Sequence, residues 1–438
     1  MQTGLATPSI RTEILAGVST FLATMYIIVV NPAILSQSGL PFSGVLTATI
    51  LLSFACSLMM GLYARNPMVV APGMGINAFF TFTAVKVMGV RPEVALGAVF
   101  WAGVLFMILS VLNVRSAIVK LIPKTLRYSV SAGIGLFITL IGFENARFIV
   151  ANPATLVSIA SLKDPIVLTF IFGLLLTSVL MIRQVPGAII IGIVLTTLAA
   201  VPVGRWWGDA SAVNFGTKTL VNFHGIFAAP DFSLIGKLDL IHSLQWTLWP
   251  VIFAFVFTDL FNSLSTFVGV AEAADLYDED GNPRNMNRSL LTDAVATTLA
   301  GLLGTSPGTA YIESAVGIAQ GGRTGLTAIV AGLLFLPFLF LSPLLSVIPG
   351  IATAPALVLV GAFMMKPITK INWNQLDNAL PAYLSMVLIP FSYSITQGLT
   401  WGFLTWTIVK LSLGKTNEVP VGLLIVDLFC ILSLFSGH

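Results

Sequence analysis

Charge is what this chain has least of: Asp, Glu, Lys and Arg together make up 9% of its 438 residues, against about 25% in a soluble domain. That shortage excludes a water-soluble globule. The remaining charge nearly balances, at +3, and no basic run accompanies it, so no nucleic-acid partner is expected. Cysteine is scarce too. Cys56 and Cys430 both lie in apolar stretches, which leaves no disulfide framework and no ligand cluster for a metal. Of the three histidines, His224 sits in a polar loop, His242 at a helix start and His438 at the terminus, and none is placed as a core ligand. No HExxH pattern and no Ser/His or paired-Asp motif points to an intramembrane enzyme, and nothing calls for a cofactor. The opening MQTGLATPSIRTEI is too short and polar for a cleavable signal, so the first apolar segment is expected to stay in the membrane.

Hydrophobic residues, by contrast, make up 56% of the chain. Stretches of about 17–25 apolar residues cross a bilayer as helices, and shorter ones suffice where a helix is broken. Such stretches fall at 14–35, 45–63, 69–87, 94–112, 128–143, 165–182, 187–201, 244–268, 290–303, 303–322, 326–347, 354–365, 380–394 and 399–411. The sequence therefore predicts an all-α polytopic membrane protein of about fourteen spans, with the lipid bilayer as its solvent. A polar segment over 204–240 marks the midpoint. A last apolar piece, 419–435, contains Asp427 and is expected as an interfacial or peripheral helix. If the N-terminus is cytoplasmic, the inside connectors collect most of the basic residues, among them Arg11, Arg65, Arg115, Lys120, Lys124, Arg127, Arg183, Arg288, Lys366, Lys370, Lys410 and Lys415, as the positive-inside rule requires.

Two spans are interrupted in the same way. Span three reads Pro72-Gly73-Met74-Gly75-Ile76-Asn77 and span ten reads Pro307-Gly308-Thr309-Ala310-Tyr311-Ile312-Glu313. Each is a Pro-Gly break followed by one polar side chain. Leu121-Ile122-Pro123 before span five is echoed by Val347-Ile348-Pro349 before span twelve. Two copies of seven spans must enter the membrane from opposite sides, and paired interrupted segments of this kind point to a transport site at the repeat interface.

The residues able to carry chemistry are few. A carboxylate at the bilayer centre costs about 2.5–3.5 kcal/mol on insertion scales, so it is normally turned toward a cavity or a partner. Glu313 and Asp259 are the two carboxylates best placed at that depth, and Asn262 and Ser263 share the face of Asp259. Acceptors and donors on one face suit a planar, polar, uncharged ligand, and either acid is a candidate for taking up and releasing a proton. Asn77 follows the break of span three, where a half-helix presents unpaired N–H groups, and Gly75 lets a ligand approach the backbone. Phe79 and Phe80 offer faces for a flat ring, and Thr24 and Tyr26 form part of a polar stripe in span one. Asp293 and Glu144 fall near span ends and are expected at the interface. The cluster Asp275, Asp278, Glu279 and Asp280 lacks the spacing of a calcium loop and reads as a solvated connector.

Four ordered motifs carry a resemblance over nearly the whole chain: TFLATMYIIVVNPAIL in span one, APGMGINAFFTF in span three, FVFTDLFNSLSTFVGVA in span eight and GTSPGTAYIESAVGIAQGGRTG in span ten. They resemble the AzgA-like purine permeases of the nucleobase/ascorbate transporter group. The resemblance implies two inverted seven-span repeats with short strands leading into spans three and ten. It further implies a core domain (14–113 and 244–348), a gate domain (114–203 and 349–415), an extracytoplasmic linker at 204–243 and a peripheral tail at 416–438. The base would be held by Asp259 and Glu313, with main chain around Ile312 and with Gly75 and Asn77 of span three. Relatives that carry uracil or xanthine usually have Glu in span eight, and Asp259 fits the AzgA-like branch instead. Purine substrates (adenine, guanine, hypoxanthine), proton symport by movement of core against gate, a bacterial-type plasma membrane and homodimers through the gate domains are implied likewise. Sodium coupling, or an anion transporter of related architecture, is the alternative.

Overall fold

A computed structural model describes residues 9–111, 123–210, 218–223, 225–274, 276–277 and 283–436. The basic connector at 115–122, the acidic cluster around Asp278, His224 and His438 lie outside them.

Span one runs over Ile10–Thr24 and Ile27–Leu35. Pro32 lacks the N–H that the carbonyl of Ile28 would accept and crowds that turn, and the helix is discontinuous one turn earlier, at Met25 and Tyr26. Span two is Phe42–Met59, continued by wide turns over Met60–Ala64. Span three is a strand, β1 (Val70–Pro72), then Met74–Ala78 and a wide-turned Phe79–Val87. Spans four and five are Pro92–Val111 and Lys124–Asn145. A small hairpin, β2 (Ile149–Asn152) and β3 (Leu156–Ile159), leads to span six (Pro165–Ile182) and span seven (Ala188–Ala200). Spans eight and nine are Trp249–Ala274 and Met286–Leu303. Span ten is again a strand, β4 (Gly308–Ala310), followed by the turn Ile312–Ser314 and a short helix Ala315–Ala319. Spans eleven to fourteen begin at Gly325–Phe335 and continue with Gly350–Met364, Leu376–Ser392 and Ile395–Ser412. Among the described residues, seven helices are long and apolar enough to cross a membrane by length and composition alone. Spans three and ten are broken beside their Pro-Gly steps, and the remaining spans are shorter or less apolar helices.

Packing sorts the spans into two groups. One gathers spans one to four with eight to eleven, and the other spans five to seven with twelve to fourteen. Within the first group, spans four and nine touch backbone to backbone: a Cβ on Gly103 would lie 2.3 Å from the amide nitrogen of Thr298, and one on Gly301 would lie 2.7 Å from the carbonyl of Leu96. Small residues permit this approach where there is no water to drive helices together.

The end of the first group where span one begins, the near face, is tied by polar side chains. Arg284 donates to the carbonyls of Arg65 (3.1 Å) and Arg323 (2.7 Å), and buried Glu13 accepts from the amides of Arg323 and Thr324 at 2.9 and 3.0 Å. In the second group the near face holds buried Lys410, which pairs with Asp377 at 2.8 Å and Glu418 at 2.7 Å. The tail forms a helix, Val421–Ser436, that packs on span fourteen; its Asp427 accepts from Thr407 at 2.5 Å.

Candidate functional site

The two strands are the centre of the molecule. β1 and β4 pair antiparallel, Val70 opposite Ala310, Ala71 opposite Thr309 and Pro72 opposite Gly308. Further bonds from Gly73 N–H to the carbonyl of Pro307 and from Tyr311 N–H to that of Val69, both 2.9 Å, extend the pair. Non-helical backbone at membrane depth needs every polar group satisfied by protein, and a two-stranded ribbon has two open edges. Side chains close them. Ser57 of span two both accepts from Val70 N–H (3.1 Å) and donates to its carbonyl (3.2 Å). Ser314 accepts from Val69 N–H at 3.1 Å. The Thr297 hydroxyl of span nine lies 3.2 Å from the carbonyl of Gly308, Asp293 accepts from Ala310 N–H at 3.3 Å, and the Tyr311 hydroxyl donates to the carbonyl of Pro72.

The predicted acids flank this ribbon. Asp259 is fully buried and accepts a short hydrogen bond from Thr297 on one oxygen, while its Oδ1 has no partner among the described residues. Ser263, one turn on, shares a 3.0 Å hydrogen bond with Thr309 of β4 and so ties span eight to the strands. Asn262, beside it, is half-buried. Glu313 lies one turn past β4, half-buried, and accepts from the Tyr26 hydroxyl at 2.7 Å. The break in span one places Tyr26 for this bond. Ile312, whose carbonyl accepts from Ala315 N–H, has its side chain 48% exposed next to Glu313.

Span three supplies Asn77, fully buried, whose Nδ2 donates to Asn31 at 3.1 Å and whose Oδ1 has no partner among the described residues. Gly75 faces the second helix group: a Cβ there would lie 2.5 Å from a methyl of Ile134, so the missing side chain serves close packing of span three on span five. Phe79 meets Phe255 of span eight edge-on at 4.9 Å, and Phe80 is wholly buried. The Thr24 hydroxyl bonds back to its own helix, to Thr20 O at 2.9 Å.

Asp293, expected at the interface, is instead fully buried and close enough to Asp259 for the two to interact. Its place is set by the edge of β4, which needs an acceptor for Ala310 N–H. Asp293 and Thr297 stand four residues apart on one helical face, a signal the sequence did carry. Glu144 is exposed and accepts from Tyr393 at 2.8 Å.

Repeated spans, two of them broken at the centre of the molecule beside carboxylates, are the architecture of a membrane transporter rather than an enzyme. Residues 11–400 match the Xan_ur_permease profile, described as Permease family. The chain belongs to this family, in the AzgA-like branch that its four motifs resemble. It is 41% identical to "Adenine permease AdeP" of Escherichia coli over 97% of this chain and 92% of the relative. It is 40% identical to "Guanine/hypoxanthine permease PbuO" of Bacillus subtilis over 98% of each. Among solved structures, the transmembrane domain of the cyanobacterial bicarbonate transporter BicA superposes with a TM-score of 0.65 at 16% identity, covering 90% of this chain and 97% of that one. That likeness bears on the fold, the inverted-repeat arrangement of core and gate.

Proposed function

We propose that this permease imports purine nucleobases (adenine, guanine and hypoxanthine) by proton symport, with the core group moving against the gate group. The observation that carries the reading is a strand ribbon with Asp259 bonded to Thr297 beside it and Glu313 one turn past β4, and with unpartnered acceptor oxygens on Asp259 and Asn77 among the described residues. Buried acceptors that lack partners call for donors, and a purine base brings ring N–H and amino groups on a flat, uncharged frame. The names of the relatives AdeP and PbuO support purines as the cargo, and their near-equal identities, 41% and 40%, favour no single base. An anion, the cargo named for BicA, fits less well because carboxylates beside the half-helices would repel it.

In this reading Asp259 and Glu313 hold the base, main chain at Ile312 and side chains of Asn77, Asn262 and Phe80 complete its surroundings, and the two acids exchange the coupling proton. Gly75 and Thr24 then act through packing. The core comprises 14–113 and 244–348 and the gate 114–203 and 349–415, with 204–243 on the outer side. The N-terminus lies in the cytoplasm of a cell whose plasma membrane holds the protein, and pairs of chains meet through their gates. Uptake of labelled bases into proteoliposomes with an imposed pH difference tests the proposal. Accumulation that collapses with the proton gradient and survives removal of sodium supports it; accumulation driven by sodium alone overturns the coupling ion.

A further inference from the structure

Asn31 stands at the Asn31-Pro32 step of span one, wholly buried, with its amide engaged on every side. Its Nδ2 donates to Thr49 Oγ1 of span two and to Thr305 Oγ1 beyond span nine, both at 2.8 Å. Its Oδ1 accepts from Ser306 Oγ at 3.2 Å and from Asn77 Nδ2 at 3.1 Å. The direction of this amide follows from Thr49. That hydroxyl already donates to the carbonyl of Val45 at 2.7 Å, so toward Asn31 it acts as an acceptor. The Asn31 NH2 is therefore drawn to Thr49, and its oxygen turns to Asn77. An oxygen facing Asn77 is met by the Asn77 NH2, which leaves Asn77 Oδ1 as the free end of a fully buried amide.

We propose that Asn31 is a positioning residue that fixes Asn77 as a hydrogen-bond acceptor for the substrate, so that span three selects a base edge carrying a ring N–H or an amine. The inference rests on the purine reading above and adds to it which polarity the site presents at span three and what holds it there. Without Asn31 the Asn77 amide is free to turn over, presenting either its oxygen or its NH2. An edge with a donor and an edge with an acceptor are then received alike, and discrimination between them is lost.

The test compares apparent KM values for hypoxanthine, adenine and their singly N-methylated derivatives, each of which lacks one N–H, in proteoliposomes of wild type, Asn31→Leu, Asn31→Asp and Thr49→Val. In the wild type one methyl derivative should bind about tenfold more weakly than its parent, the scale set by an unpaired buried acceptor. Asn31→Leu should bring that ratio close to one. Asn31→Asp, which still offers an oxygen to Asn77, should keep it. Thr49→Val, which removes one of the groups that orient Asn31 and itself makes no hydrogen bond to Asn77 or the strands among the described residues, should lower the ratio part-way, and it serves if Asn31→Leu does not fold. A wild-type ratio near one for every derivative overturns the inference. So does an equal loss for parent and derivative in both Asn31→Leu and Thr49→Val, the result expected of a merely structural hub. Absence of purine uptake by the wild type overturns the purine reading and this inference with it, whereas intact uptake with an unaltered ratio overturns this inference alone.

Discussion

Spans three and ten follow one plan and end in different chemistry. Both carry a Pro-Gly step, at the exit of β1 in span three and at the entry of β4 in span ten, both contribute three residues to the ribbon, and both present a polar side chain soon afterwards. In span three that side chain is Asn77, neutral, fully buried and fastened through Asn31 to spans one and two and to Thr305 beyond span nine. In span ten it is Glu313, half-buried and accepting a side-chain hydrogen bond from Tyr26. Span three then continues as helix to Val87, whereas span ten stops at Ala319. Span three thus carries a neutral amide held in place by its neighbours, and span ten a half-buried carboxylate with room to change partners. A neutral amide costs little to bury once its bonds are made, while a carboxylate that must gain and lose a proton needs access to water.

The strongest way to break this comparison is to neutralise the acids. Asp259→Asn is expected to lower purine uptake on the order of a hundredfold, the scale of a charge-assisted hydrogen bond worth about 3 kcal/mol. Glu313→Gln should abolish accumulation driven by a pH gradient. If both variants retain full proton-driven uptake, the site lies elsewhere. Tyr26→Phe sharpens the comparison, because it removes the one side-chain hydrogen bond that the described residues give Glu313. A loss of about 1.5 kcal/mol, roughly tenfold in kcat/KM, is expected, together with a shifted pH profile of uptake. An unchanged profile would detach Tyr26 from the coupling step. Ser57→Ala bears on the ribbon that both spans share. It leaves the N–H and carbonyl of Val70 unpaired and should lower stability by about 1–3 kcal/mol, read as a fall in Tm in detergent, with KM nearly unchanged.

The smallest effect lies in the segment between spans seven and eight. Hydrogen bonds from Ser43 (2.6 Å) and from Ser233 hold the Asp231 carboxyl below the usual carboxylate range. Its folded value being the lower one, its stabilisation is present above the ordinary value, about pH 4, and fades as pH falls through the lowered one. Hydrogen exchange at residues 231–236 should rise over that window in the wild type and show no such step in Asp231→Asn.

Much of the architecture was legible because a bilayer leaves few choices. Apolar length marked the spans, and Pro72-Gly73 and Pro307-Gly308 marked the breaks, since proline lacks the donor a helix needs. The candidate acids stood out because a carboxylate is rare in apolar surroundings. Other features stayed hidden for a physical reason. Asp293 reads as the start of a span by position, and only the pairing of β1 with β4 supplies the N–H that makes its burial tolerable. Gly75 reads as room for a ligand, and only the packed structure shows that its Cβ direction is filled by a methyl of Ile134. Tyr26 and Thr24 look equivalent in the polar stripe, and the kink between their helix segments turns only Tyr26 to Glu313.

Composition and order by themselves settled that the chain lives in a membrane, where its helices must break, and which side chains are too polar to face lipid. Those properties are local, fixed by transfer energies and by the valence of each backbone group. Partnership was decided by the tertiary structure alone: which serine closes a strand edge, which tyrosine meets Glu313, which way the Asn77 amide turns. Hydrogen bonds between residues hundreds of positions apart depend on how spans pack, and packing is a property of the whole chain.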